Sequence, residues 1–311
     1  MKELFMFYNV ENLFCPDPEK VHKTDPTPSG LSNWNQYRYS NKIHKIAHVF
    51  ELVEAQYGML PAIIGLAEIQ GKEVLKDLLN RDVFHNYGYV HYDSMDERGI
   101  DVALLYDKNK VHIEFSEPIS YTFKIENSDA YDTTRDVLHA KVRFYDEILN
   151  VFVLHLPSKR EQDINRPKRA HILKEIGNKI GNLFTVKNEA VIVLGDFNEN
   201  PDDEIMKNLT FYKDFNKILT NPWLDLYKNN SFSTFHYKSG LLFDQILLSA
   251  QFFKPGFLFS FRKASVFNPE KISSWDRKFT GRPFRTYAGT RYLGGYSDHF
   301  PVITELEKNI N

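Results

Sequence analysis

The stretch VIVLGDFNENP, residues 191–201, decides how the rest of the chain is read. Its first five residues, Val191 to Gly195, suit a strand buried on both faces, since short continuous apolar runs mark sheets that are covered on both sides. The run stops on Asp196, and Asn198 follows two positions later. A single carboxylate at a strand end is usually just the start of a turn. Here the pattern recurs. Residues 4–10 read as a strand closing on Asn9 and Glu11, residues 61–67 stop at Glu68, and residues 149–154 end at His155. Ser297, Asp298 and His299 stand just before a last strand over 300–306, and a strand over 241–248 carries Asp244.

Helical patterns lie between these strands. Ile43, Ile46, Ala47, Phe50 and Val53 form an apolar stripe, with Ser40 placed to cap it. Pro167 suits the first turn of a helix running to about Leu183. Shorter helices are expected over 72–79 and 202–209. A strand over 100–106 follows Arg98 and Gly99, residues 257–261 suit another, and a polar, proline-rich loop occupies 16–39. No repeat or linker divides the chain, so residues 1–311 read as one domain with interleaved strands and helices. In layered folds of this kind, strand ends open onto a crevice where ligands bind. Six polar strand ends therefore point to one shared site.

Composition narrows the chemistry. The chain is 42% hydrophobic and 26% charged, as in a soluble globular protein. A net charge of -2 excludes a uniformly basic polyanion binder, so a nucleic-acid role would need a local patch. The single cysteine, Cys15, excludes an intrachain disulfide and a cysteine-ligated zinc site, and reads as a small inert hydrophobe. Neither a signal peptide nor a membrane span is read from the sequence, and a cytoplasmic monomer is expected. Glu68, Asp196, Asp298, Glu11, Asn9 and Asn198 offer hard oxygen donors, which select Mg²⁺, Mn²⁺ or Ca²⁺. Two strand-end histidines add donors or proton carriers near neutral pH. This set suits hydrolysis of a phosphate ester, which needs an activated water and charge neutralisation at the phosphoryl oxygens.

FYNVENLF, GLAEIQ, VLHLPSK, VLGDFNENP, FDQILLS and GGYSDHFPV occur in the order found in the endonuclease/exonuclease/phosphatase superfamily, which the chain resembles from Phe5 to about Thr304. The resemblance implies an α+β fold, a four-layer α/β/β/α sandwich of two mixed sheets packed face to face with outer helices. It implies a Mg²⁺-dependent enzyme, with Mn²⁺ as a substitute. Glu68 falls on the family's main metal ligand. Asn9, Glu11 and Asp298 fall on residues at or near the metal. Asp196 falls on the residue that orients or deprotonates the attacking water, Asn198 on a donor to the phosphoryl oxygen, and His155 on the histidine that contacts the scissile phosphate. Asp244 falls on the aspartate that pairs with the final histidine, His299. Whether Asp196 or His299 is the base, and whether one metal or two bind, stays open.

The substrate must be chosen by loops. Arg98 is placed to reach a phosphate as a bidentate donor, or else to pair with Asp101 in a turn. Lys159 and Arg160 follow His155 closely. Residues 262–291 hold eight basic residues, among them Arg282, Arg285 and Arg291, interleaved with Phe267, Trp275, Phe279, Phe284 and Tyr287. Such interleaving suits a polyanion with stackable bases, and equally a smaller phosphorylated ligand. The leading expectation is a nuclease or other phosphodiesterase. The alternative is a phosphatase or phosphodiesterase of small molecules or lipid headgroups, and a remote one is an inactive binding module on the same fold.

Overall fold

Alternation along the first strand sets the layering. In β1 (Lys2–Leu13), Leu4, Met6 and Tyr8 pack to one side, while Phe5 and Phe7 pack to the other. Both faces are buried, because side chains alternate across a strand and each face meets another layer. The computed structural model describes residues 1–16, 31, 33–125, 129–159, 161–212 and 216–309. Most of the expected loop over 16–39, and Arg160, lie outside the described residues.

The strands that follow are β2 (Ile63–Ile69), β3 (Tyr87–His91), β4 (Asp101–Asp107), β5 (Val111–Ile119), β6 (Val137–Phe144) and β7 (Glu147–His155). They continue as β8 (Ala190–Asp196), β9 (Leu219–Thr220), β10 (Asp244–Ser249), β11 (Phe259–Val266) and β12 (Val302–Lys308). One sheet has the order β11-β12-β1-β2-β4-β3, the other β9-β10-β8-β7-β6-β5. Each has a single parallel pair, β1 with β2 and β7 with β8, and is otherwise antiparallel. A parallel pair needs a long crossover. It is supplied by α1 (Gln36–Tyr57) in the first sheet and by α3 (Arg166–Lys187) in the second, with α2 (Gly71–Leu79) beside α1.

Three apolar clusters fill the spaces between layers. One joins α1 and α2 to the outer face of the first sheet, through residues such as Ile46, Phe50, Met6 and Ile64. The second lies between the sheets, with Phe5, Phe7, Val151, Val153, Ile192 and Leu194. The third joins Val191 and Val193 to Ile172, Ile176 and Ile180 of α3. The architecture is thus α/β/β/α, two mixed sheets packed face to face with helices outside, in the α+β class.

Some expected boundaries move. α1 begins at Gln36, four residues before Ser40, because Asn35 Oδ1 accepts from Arg38 N at 3.1 Å and caps it. Gly58, at φ 73°, closes the same helix in the left-handed conformation that glycine tolerates. The basic residues of 262–291 do not all belong to one loop. Arg262 and Lys263 belong to β11, at the edge of the first sheet, where Arg262 Nε lies 2.6 Å from Glu307 Oε2.

Gly195 belongs to the opening stretch for a packing reason. A Cβ there would sit 2.3 Å from the Leu154 carbonyl oxygen, a backbone atom of the paired strand. Gly195→Ala should therefore lower stability by about 1–3 kcal/mol through overpacking. Urea unfolding of the two proteins checks this, and an unchanged midpoint would remove the argument.

Candidate active site

Topology gathers the polar strand ends at one edge of the sandwich. β1, β2, β7 and β8 all finish there. β10 runs antiparallel to β8 and so begins there, with Asp244 opposite Asp196. β12 runs antiparallel to β1, so the Ser297–Asp298–His299 turn before it arrives at the same edge.

The spacing of two between polar residues has a local cause. Asn9 Oδ1 accepts from Glu11 N at 3.0 Å, and Asp196 Oδ1 accepts from Asn198 N at 2.9 Å. Each is a short side chain folding back on the backbone two residues on: at Asp196 this turns the chain out of β8, and at Asn9 it opens a bulge in β1, which pairs again at Leu13 with Ile69. Each sheet thus interrupts or ends a central strand with the same device. Glu11, Asn12, Glu68 and Asn198 all have positive φ, at 54°, 50°, 66° and 49°. Glu68 sits in a bulge: Ala67 pairs with Val102 and Ile69 with Asp101, leaving Glu68 without an opposite residue. A glutamate in this region of φ is uncommon and strained by about 1–3 kcal/mol. The bulge re-aims its carboxylate, whose Oε2 accepts from Asn12 N at 2.7 Å.

Asp196 Oδ2 is the meeting point. Asn9 Nδ2 donates to it at 3.1 Å and reaches Glu68 Oε1 at 3.4 Å, joining the two sheets. His155 Nε2 lies 3.7 Å from Asp196 Oδ2 and 3.9 Å from Glu68 Oε1. His299 Nε2 lies 3.9 Å from both Asp196 Oδ2 and Asp298 Oδ1, and its Nδ1 is 2.7 Å from Asp244 Oδ2. Asn198 Nδ2 donates to the Leu156 carbonyl at 3.0 Å, which leaves it one further amide hydrogen.

The two histidines are driven in opposite directions. Burial pushes the His155 imidazole well below its ordinary range, and the charges of Arg135, Arg98 and His299 push it further. His155 is therefore neutral. Its Nδ1 is buried without a hydrogen-bond partner among the described residues, so the proton belongs on Nε2, which faces the carboxylates. Burial alone would also lower His299, but the Asp244 charge and hydrogen bond, with Asp196 and Asp298, outweigh it and hold His299 well above its ordinary value. Asp196 is pushed up to about 7, by burial first and then by the neighbouring Asp244 charge.

The remaining expected residues divide. Arg98 stands close, with Nη2 donating to Asn12 Oδ1 and Nε buried without a partner among the described residues. It does not form the alternative turn pair, since Asp101 accepts from Ser94 N instead. Arg285 Nη2 lies 3.3 Å from Asp298 Oδ2. Arg282 lines a cavity beside Asp298. Lys159 is drawn away to Glu199, at 2.5 Å. Arg291 is exposed on the hairpin of Tyr287–Ala288 and Arg291–Tyr292, outside the cavity lining. Glu11 is differently employed: its carboxylate accepts from Thr286 N at 2.7 Å and Tyr287 N at 3.4 Å, with Lys42 Nζ at 3.9 Å. Burial, then the Asp298 charge, pushes it up to about 7.

A sequence model of the Endonuclease/Exonuclease/phosphatase family matches residues 4–308. The chain belongs to this family. Membership makes it a phosphoric-ester hydrolase. Among solved structures it is similar to D. rerio TDP2 complexed with single strand DNA product, at 17% identity over 99% of each chain, with a TM-score of 0.59. It is also similar to the mannosyl-6-phosphatase of Bacteroides thetaiotaomicron, at 17% identity over 98% of this chain and 99% of that one, TM-score 0.59. An endonuclease/exonuclease/phosphatase from Bacteroides vulgatus matches at 14% identity over 99% and 100%, TM-score 0.61. No curated protein sequence matches the chain.

Several supporting residues had no readable signal. Arg135 is buried, donates to the His155 carbonyl at 3.1 Å and lies 3.6 Å from Asp96. Ser233 Oγ donates to Asp244 Oδ2 at 2.5 Å. Lys42 is buried in α1, and its Nζ donates to Thr286 Oγ1 at 2.5 Å and the Tyr296 carbonyl at 2.6 Å. Only Ser297, whose Oγ donates to the Asn9 carbonyl at 2.7 Å, lay inside a quoted motif.

In metal-free protein at the ordinary imidazole value of 6.5, His299 should be protonated and His155 neutral. Because the folded value of His299 is raised, its stabilisation is complete below the unfolded value. It is lost as pH climbs through the folded one. Asp244→Asn should bring the His299 titration down. Ring-nitrogen NMR reads both sites, and equal titration of the two rings would contradict the geometry.

Proposed function

We propose that the protein is a Mg²⁺- or Mn²⁺-dependent phosphodiesterase acting on nucleic acid. The observation that carries the reading is the convergence of Glu68, Asn9, Asp196, His155 and His299 at one edge, with Asp244 bonded behind His299. The donor set fits a hard cation. Its ligating atoms are carboxylate oxygens, and Asp196 is pushed up to about 7 by burial and the Asp244 charge, which a cation held there would offset. Glu68 would be the principal holder, with Asp298 beside it; Asn9, expected at the metal, turns its oxygen to Glu11 N and would instead orient the Glu68 and Asp196 carboxylates through its amide hydrogens. Glu11 would serve by anchoring the backbone at Thr286 and Tyr287. A bound Mg²⁺ would neutralise the phosphoryl oxygens and acidify water.

The chain's own groups supply the rest. Asp196, titrating near neutral pH, has the basicity to take a water proton. His299, held as imidazolium by Asp244, donates to a phosphoryl oxygen as negative charge builds there. His155 offers its Nε2 hydrogen and Asn198 its free amide hydrogen to the same group. Arg98, with an unused Nε donor, is placed for a flanking phosphate. The similarity to TDP2 complexed with single strand DNA product supports a nucleic-acid substrate. A second reading, a sugar-phosphate phosphatase, is favoured by the similarity to a mannosyl-6-phosphatase.

Offering plasmid DNA, single-stranded RNA, a simple phosphodiester and sugar phosphates with Mg²⁺ separates the readings. Turnover of sugar phosphates alone would favour the second. Glu68→Gln keeps the side chain's shape and removes its charge, so activity should fall about 100-fold or more. EDTA should silence the wild type and added Mg²⁺ restore it; near-normal turnover of Glu68→Gln at low Mg²⁺ would sink the metal assignment. Asp244→Asn and His299→Ala should be far from additive, because the pair acts as a unit. Losses that multiply in full in the double variant would show that the two residues work separately.

A further inference from the structure

A cavity of about 390 Å³ opens beside the catalytic edge. Asp298 lines it, and the other oxygen of that carboxylate lies 3.9 Å from His299 Nε2. The cavity therefore begins where the scissile phosphate would sit. Its walls come from two segments: the hairpin of Thr234–His236 and Ser239–Leu241, and the stretch from Ser274 to Leu293.

The lining is largely aromatic. The Arg282 guanidinium lies 5.1 Å from the Phe235 ring centroid and 5.3 Å from that of Phe279, so three flat groups share one wall. Arg282 is fixed from behind, as Nη1 donates to the Tyr237 carbonyl at 2.6 Å. No hydrogen bond occupies its Nε or Nη2 among the described residues, which leaves donors for a ligand. Tyr237, which lines the cavity, is 83% exposed and meets the His236 ring edge-on at 4.6 Å; Trp275, also 83% exposed, follows the lining residue Ser274 and meets the Phe284 ring edge-on at 6.5 Å.

We infer that this cavity seats one unpaired nucleobase, joined through its sugar to the scissile phosphate, with Arg282 and Phe235 as the residues that select for it. The inference rests on the phosphodiesterase reading above and narrows its substrate class. Aromatic and guanidinium faces stack on any base, and the free Arg282 donors match the acceptor edge of a base. A sugar seat would be built differently. Hydroxyl groups donate as well as accept and need carboxylate or amide acceptors around them. This lining offers one carboxylate, Asp298, already paired with Arg285. A base inside a duplex has both faces covered, so it must leave the stack to enter. The substrate is accordingly single-stranded, or frayed at an end.

The test compares a short single-stranded oligonucleotide with a counterpart carrying an abasic residue beside the cleaved phosphate. With Mg²⁺, the wild type should favour the base-bearing substrate by roughly 10- to 100-fold in kcat/KM. Phe235→Ala and Arg282→Ala should each shrink that ratio towards unity, and having two variants guards against one that misfolds. A wild type that treats both substrates alike, or a ratio that survives both substitutions, would overturn the inference. If neither oligonucleotide is cleaved, the phosphodiesterase reading has failed but the seat is still measurable. A nucleoside 5′-monophosphate should then quench Trp275 fluorescence where ribose 5-phosphate does not, and Arg282→Ala should abolish the difference. Equal effects of the two ligands would overturn the seat itself.

Discussion

The amide of Asn9 joins the two halves of the candidate site, alongside the His299–Asp244 pair. Asn9 Nδ2 reaches Asp196 Oδ2 across the sandwich and Glu68 Oε1 within its own sheet. Carboxylates from opposite sheets would otherwise repel one another in a buried setting. The amide gives each a donor and fixes their separation. The rest of that edge is arranged around Asp196 Oδ2, which both His155 and His299 face.

The two sheets contribute by one construction used twice. Each has a central parallel pair bridged by a long helix, and each carries on a central strand a side chain that hooks the backbone two residues on, at a bulge in β1 and at the end of β8. The sharp exit costs backbone strain at Glu11, Asn12, Glu68 and Asn198. What opposes the strain is the burial of both sheet faces, which leaves the strands no alternative register. The strained residues are the polar ones, and the apolar residues behind them are regular. Precision at the edge thus derives from the rigidity of the core.

A second constraint acts on the segment from Thr286 to His299. Glu11 holds the backbone of Thr286 and Tyr287, and Lys42 holds Thr286 Oγ1 and the Tyr296 carbonyl. The buried pair fixes the base of the loop that presents Asp298 and His299 on one side and Arg282 and Arg285 on the other. Lys42 is drawn down by burial, while the Glu11 charge opposes that shift. Removing either partner would leave the other as an uncompensated buried charge, which is far more disruptive than removing a surface ion pair. The position of His299 and the neighbouring cavity therefore depend on one anchoring device.

The strands were legible because their apolar runs are short, buried on both faces and stopped by polar residues. VIVLG before Asp196 is one case, and the residues leading to Glu68 and His155 are others. That six polar ends share one site was legible too, since strand ends in layered folds collect at an edge. Charge and spacing could not say where each side chain would point. Lys159 and Glu11 look like ligand residues in the sequence, yet Lys159 is drawn to Glu199 and Glu11 to two backbone amides. Arg135, Lys42 and Ser233 carry no pattern at all, because their partners lie 20, 244 and 11 positions away. The sequence by itself determined which apolar residues would be buried and which strand ends would be polar, as these follow from local hydrophobic pattern. Only the tertiary structure decided which polar groups face one another, because that depends on how two sheets and a returning loop are held in register.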